Sequence, residues 1–137
     1  MLEPTRQLDV LASAVIGAAL EVHRILGPGF LESIYEEALA IELDLRGIRF
    51  KRQGMISVSY KGRLIGEGRT DFMIEGALIF EIKAVDKLTP VHQAQVLSYL
   101  KATGYRLGLL MNFHERLLRD GLKRIVLTTL PGSSPVS

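Results

Sequence analysis

Cysteine is absent from this chain, which removes a disulfide framework, thiolate zinc sites and iron–sulfur clusters from consideration. Histidine is scarce. Only His23, His92 and His114 carry imidazole, and no two of them stand at the short helical spacing of a zinc motif. A bound metal would therefore be held mainly by carboxylates, which favours hard ions such as Mg2+ or Mn2+. Long apolar runs are also missing. The most apolar stretch, Val10 to Leu20, falls short of the roughly 20 residues that span a bilayer. Glu3, Asp9 and Glu21 around it are wrong for a signal peptide, so no membrane association and a cytoplasmic location are expected. Nor does charge of one sign dominate: a net charge of +2 is compatible with nucleic acid without pointing to it.

What remains is the composition of an ordinary globular chain, 137 residues with 47% hydrophobic and 23% charged. One domain over residues 1–128 is expected, followed by a loose tail, 129–137, of proline, glycine and serine. Leu8, Leu11, Val15, Ala19, Val22 and Leu26 recur at helical spacing, which predicts a helix from Thr5 to Leu26. Gly27-Pro28-Gly29 breaks it. A second helix is expected from about Leu31 to Arg46, with Leu31, Ile34, Tyr35, Ala38, Leu39 and Leu45 on its apolar face and Gly47 as its stop. The pattern then turns to period two. Ile48–Gln53, Met55–Tyr60, Arg63–Gly66, Asp71–Ile74 and Leu78–Lys83 read as strands. Thr89-Pro90 opens a third helix that stops at Gly104; Tyr105–Met111 reads as a buried central strand and Lys123–Thr128 as the last one. The expected fold is α/β, a mixed sheet flanked by helices, in the order α-α-β-β-β-β-β-α-β-β.

The sharpest chemical signal is Leu78-Ile79-Phe80-Glu81-Ile82-Lys83. Side chains alternate along a strand, so Glu81 and Lys83 project together while Leu78, Phe80 and Ile82 anchor the other face. A carboxylate there can hold a divalent cation, and a lysine two residues on can orient water or offset charge on a phosphorane. Asp71 could add a second carboxylate, depending on register. A two-residue turn at Glu75-Gly76 puts Asp71 opposite Phe80, on the wrong face; a three-residue loop, or a bulge of equal effect, puts it opposite Glu81. An acid-x-lysine strand on its own is commonly a solvated pair. On the third helix, His92, Gln95 and Tyr99 share one face and could contact phosphate or position water. Glu32, beside Tyr35, lies at the edge of the second helix's apolar stripe, whereas Glu36 and Glu37 read as first-turn acids favoured by the helix dipole. Two basic clusters, Arg46/Arg49/Lys51/Arg52 and Arg116/Arg119/Lys123/Arg124, read as solvated faces that could also touch phosphates.

Taken together these pieces resemble a known pattern. Gly29-Phe30-Leu31-Glu32-Ser33-Ile34-Tyr35 is similar to the signature of the GxxExxY protein family, and so are Gly66 to Asp71, Glu81 to Val85, Thr89 to Gln95 and Leu97 to Gly104. That family is similar to the PD-(D/E)xK nuclease superfamily, which implies a restriction-endonuclease-like core. The resemblance implies Asp71 and Glu81 as metal-binding acids, the Ile82 carbonyl as a further metal ligand, and Lys83 as the catalytic lysine. It also implies Glu32 as an additional catalytic and metal-binding acid, and matches Gln95 and Tyr99 to a Gln-x-x-x-Tyr element, in which Gln95 would help orient the water or Lys83; His92, Tyr99 and Tyr35 are candidate substrate contacts. The proline that often precedes the first acid is replaced by Thr70. The expected function is Mg2+- or Mn2+-dependent hydrolysis of phosphodiester bonds in DNA or RNA. The alternatives are a non-cleaving nucleic-acid-binding module, or an interaction domain in which the Val10–Leu20 helix packs against a second copy or a protein partner.

Overall fold

Residues 5–128 are described by a computed structural model; the expected tail, 129–137, lies outside them, as do residues 1–4. Among the described residues there are three α-helices and a five-stranded mixed sheet. Helix α1 (Arg6–Leu26) starts where the Thr5 hydroxyl accepts the Leu8 N–H at 3.2 Å. It ends where Gly27, at φ 70°, takes the backbone out of the helix. Helix α2 (Glu32–Leu45) follows, and the two pack on one face of the sheet over a core that includes Val15, Ala19, Leu39, Phe72, Phe80 and Phe113.

The apolar face of α2 differs from the one its sequence predicts. Tyr35, Leu39 and Leu43 are its fully buried residues, a clean run of four-residue steps. Leu31 and Leu45 stay 72% and 77% exposed. The rotation of the helix is set by Tyr35, whose ring stacks on Phe113 with centroids 4.8 Å apart. On α1, Val15, Ala18 and Ala19 face the core, which accounts for most of that helix's apolar stretch, and Val10 and Leu20 remain exposed.

Four of the expected strands fuse into two. Strand β1 (Phe50–Tyr60) runs through Gly54, and β2 (Arg63–Ile74) through Gly66 and Gly68, as one long antiparallel hairpin. Lys61 and Gly62, both at positive φ, turn it. The order of elements is therefore α-α-β-β-β-α-β-β, not the seven strands expected. Gly54 is not a break: a Cβ there would lie 2.2 Å from the Met73 sulfur, so its absence lets that side chain lie across the strand.

Strand β3 (Leu78–Lys83) is central in the order β1-β2-β3-β4-β5, antiparallel to β2 and parallel to β4 (Leu107–Asn112). The crossover between them is α3 (Pro90–Thr103), which covers the opposite face from α1 and α2 through Leu100, packed with Ile56, Ile79 and Leu127. With both faces covered, β3 is buried from Leu78 to Ile82 and β4 along its whole length, and most of these positions are apolar. A short 3-10 turn (Leu118–Gly121) leads to the edge strand β5 (Leu122–Val126). No helix among the described residues is long and apolar enough to cross a membrane.

Candidate active site

The turn between β2 and β3 decides where Asp71 falls. Glu75 and Gly76 take φ of 53° and 65°, and the Ala77 N–H closes on the Ile74 carbonyl at 3.0 Å. The ladder then resumes with Ile74 opposite Leu78, one residue later than a plain two-residue turn would set it. Phe72 thus pairs with Phe80, and the next step of that register brings Asp71 beside Glu81. There the backbone ladder gives way to side chains. The Asp71 N–H donates to Glu81 Oε1 at 3.0 Å, and the Ile82 N–H donates to Asp71 Oδ2 at 2.9 Å. Each carboxylate is pinned by the other strand's backbone. Because the N–H and C=O of a strand residue project to the same edge, the Ile82 carbonyl also points to Asp71's side.

A second irregularity explains how Asp71 comes to lie between the strands. Strict alternation would put Gly68 and Thr70 on the face of Phe72, toward α1 and α2. Instead a Cβ on Gly68 would meet the Tyr99 ring of α3 at 3.1 Å, while Phe72 belongs to the core on the other face. Facing therefore inverts along β2 between Gly68 and Phe72. The neighbouring stretch of β1 holds Gln53, whose φ of 50° makes it the positive-φ residue inside a strand among those described.

Glu81 is only 3% exposed. Burial, and then the Asp71 carboxylate beside it, push its carboxyl up to about 7, against the pull of the Asp71 N–H, the Thr70 hydroxyl and the Lys83 ammonium. Lys83 Nζ stands 3.6 Å from Glu81 Oε2. The Thr70 hydroxyl is buried without a partner at hydrogen-bonding geometry, although it lies near enough to favour the ionised Glu81. Glu32 is also raised, first by burial and also by Asp71, while Lys83 and the Ala84 N–H act the other way. The first residue of α2 thus lies within reach of the charges on β2 and β3.

The turn before α2 aims Glu32. Gly29 adopts φ of 111°, and the Tyr35 hydroxyl reaches back to donate to the Gly27 carbonyl at 2.6 Å and accept the Phe30 N–H at 3.1 Å. The glycine, acid and tyrosine of the Gly29–Tyr35 motif therefore work as one device, in which Tyr35 locks the turn from inside. Glu36 and Glu37 are not first-turn acids, since α2 begins at Glu32. Glu36 accepts from Arg52 at 2.7 Å and from the Gln53 amide at 2.7 Å, and that amide lies 3.4 Å from Asp71 Oδ1. Sequence reasoning missed Gln53 and Glu36. A glutamine before a glycine mid-strand was the one local signal of the kink, and the Glu36 contact spans 17 residues.

The chain matches the family model of the PD-(D/E)XK nuclease superfamily over residues 9–125. It belongs to that superfamily. No match was found among curated proteins or among solved structures.

PD-(D/E)XK nucleases generally use divalent metal ions. The donors here fit one. Asp71 and Glu81 each hold one oxygen on backbone and leave the other toward the site, the Ile82 carbonyl adds a third hard donor, and the unpartnered Thr70 hydroxyl lies beside them. Among the described residues no three histidine, aspartate or glutamate side chains converge into a ready metal cage.

The polar residues His92, Gln95 and Tyr99 of α3 make their hydrogen bonds within α3 and its cap. The Gln95 amide hydrogen-bonds the Tyr99 hydroxyl at 3.3 Å, and its hydrogen bond is thus made within α3, not to Glu81 or Lys83. His92 Nδ1 accepts the Thr89 N–H at 2.9 Å and so caps α3. Tyr35 is fully buried, its hydroxyl engaged in the turn.

Proposed function

We propose that this protein is a divalent-metal-dependent nuclease hydrolysing phosphodiester bonds of DNA or RNA, and that within its superfamily it falls in the GxxExxY family. The observation that carries the reading is the reciprocal pinning of Asp71 and Glu81 between two splayed strands, with Lys83 3.6 Å from Glu81. Holding both carboxylates by backbone N–H groups fixes their geometry before any ligand arrives. Asp71, Glu81 and the Ile82 carbonyl would hold Mg2+ or Mn2+, with Glu32 as an outer acid. When bound, such an ion supplies Lewis-acid polarisation of the scissile phosphate and charge neutralisation at the leaving oxygen. Lys83 has a different part. Its ammonium, half-sheltered and aligned with Glu81, orients the attacking water and offsets the negative charge that grows on the phosphorane as the P–O bond to the leaving group lengthens. Gln53, pulled by Glu36, steadies Asp71 from the α2 side; Gln95 reaches the centre only by turning from Tyr99.

The second reading, a nucleic-acid-binding module that keeps the fold without cleaving, draws on the absence of a three-acid cluster among the described residues. One experiment separates them. The protein is incubated with labelled single- and double-stranded DNA and RNA in Mn2+, Mg2+ or chelator, beside Asp71→Ala and Lys83→Ala. Cleavage that needs metal and vanishes in both variants supports the nuclease. Retarded substrate with no cleavage in any lane turns the conclusion to the binding module.

A further inference from the structure

The two basic clusters of the sequence have different fates in the fold. In the first, Arg46 pairs with Glu42, Arg49 with Glu75, and Arg52 with Glu36 and Glu37. Three of its four cations are thus neutralised within the chain. In the second, Arg124 pairs with Asp9, whereas Arg116 and Arg119 have no ion-pair partner among the described residues. These two, with Arg24 of α1, line a cleft of about 620 Å3 whose apolar walls include Leu20, Pro28 and Leu117. Arg24 is held by Glu21, whereas the acids of the Arg116–Arg119 segment, Glu115 and Asp120, form no ion pair with either arginine among the described residues, so Arg116 and Arg119 are the cleft's unpaired cations.

The cleft opens at the same end of the sheet as the candidate active site. Lys83 lies opposite Asn112 in the β3–β4 register, and Asn112 begins the loop that reaches Leu117. That loop is fastened on both sides. The Asn112 side chain clamps the Val85 backbone, donating to its carbonyl at 2.8 Å and accepting its N–H at 3.1 Å. His23 donates to the Glu115 carbonyl at 2.7 Å, and His114 to the Phe30 carbonyl, 2.8 Å away and two residues before Glu32. The Gly27-Pro28 wall of the cleft and the Glu32 turn are therefore parts of one braced segment.

Guanidinium groups without an ion-pair partner over an apolar floor match a nucleotide whose base is not paired: the phosphate meets arginine, a guanidinium can stack on the base, and the base face left without a stacking neighbour is taken out of water against the apolar wall. We infer that the Arg116/Arg119 cleft receives an unpaired nucleotide flanking the scissile phosphate, so that the substrate is a single strand or a frayed end. This rests on the nuclease reading above, but binding can be measured without cleavage.

The test is fluorescence anisotropy with labelled oligonucleotides, single-stranded and duplex, in chelator so that nothing is cut. Wild type, Arg116→Ala/Arg119→Ala and a charge-matched control, Arg49→Ala/Lys51→Ala, are compared, with circular dichroism to check folding. Single strands should bind more tightly than duplex. The Arg116/Arg119 variant should bind them about tenfold or more weakly, with a salt slope smaller by about 1.4 for two lost phosphate contacts, and the control should change less than twofold. Equal losses in both variants, duplex bound as tightly as single strand, or no oligonucleotide binding by wild type at low salt would each overturn the inference. If binding behaves as expected but Lys83→Ala leaves metal-dependent cleavage intact, the cleft stands and the catalytic reading fails.

Discussion

Replacing Glu81 by glutamine should make the metal-free protein more stable at pH 8. Glu81 is held near 7 in the folded protein against an ordinary value of 4.5. A carboxyl whose folded value is raised contributes most below the unfolded value, and that contribution is lost as the pH rises through the folded one. Below about pH 4.5 both states carry the proton, and wild type and Glu81→Gln should unfold alike. At pH 8 folding must bury the charge. The difference between about 7 and 4.5, at roughly 1.36 kcal/mol per unit, is about 3 kcal/mol. Between pH 5 and pH 8 the variant should therefore gain about 2–3 kcal/mol on wild type. Glutamine keeps an oxygen for the Asp71 N–H, so the substitution removes charge with little loss of packing. Urea unfolding in chelator at both pH values reads this directly. Adding Mn2+ should reverse the order once it reaches about 1,000 times its Kd, where it stabilises wild type by roughly 4.1 kcal/mol and should do little for the variant. Parallel pH profiles for the two proteins would refute the argument that this carboxylate is held at a cost for its function.

Metal affinity of wild type should fall as the pH drops below about 7, because Glu81 must lose its proton to bind; titration calorimetry with Mn2+ at pH 6 and pH 8 checks the direction. Tyr35→Phe removes the hydroxyl that locks the Gly27–Phe30 turn and should cost about 1–2 kcal/mol in urea unfolding. Gly108→Ala drives a Cβ to 2.6 Å from Val96 Cγ1 between α3 and β4, and should destabilise by about 1–3 kcal/mol in the same assay. Gln53→Gly relieves a positive φ worth about 1 kcal/mol but removes the amide beside Asp71, so calorimetry should show weaker Mn2+ binding in a protein no less stable.

The juxtaposition of Asp71, Glu81 and Lys83 was legible because it depends on local rules. Alternation put Glu81 and Lys83 on one face, and the Glu75-Gly76-Ala77 turn offered the register that Asp71 needs. The long hairpin was not legible. Gly54 and Gly68 resemble breakers, yet each is small to admit a side chain, Met73 and Tyr99, distant in sequence or on another element. The face of α2 was misread for a related reason: Leu31 and Leu45 are apolar, but stacking of Tyr35 on Phe113 turns them outward. The basic clusters looked equivalent, because the partners that separate them, Glu75 for Arg49 and Glu36 for Arg52, come close only on folding.

The central claim is tested most directly by measuring single-strand cleavage and Mn2+ binding side by side in wild type and Lys83→Ala. The expected result is cleavage by wild type that chelator abolishes, with the variant binding Mn2+ but cutting at least 100-fold more slowly, a loss of the size that one transition-state donor supplies, about 2.7–4 kcal/mol. Cleavage that survives chelator, or that persists undiminished in Lys83→Ala, would contradict it.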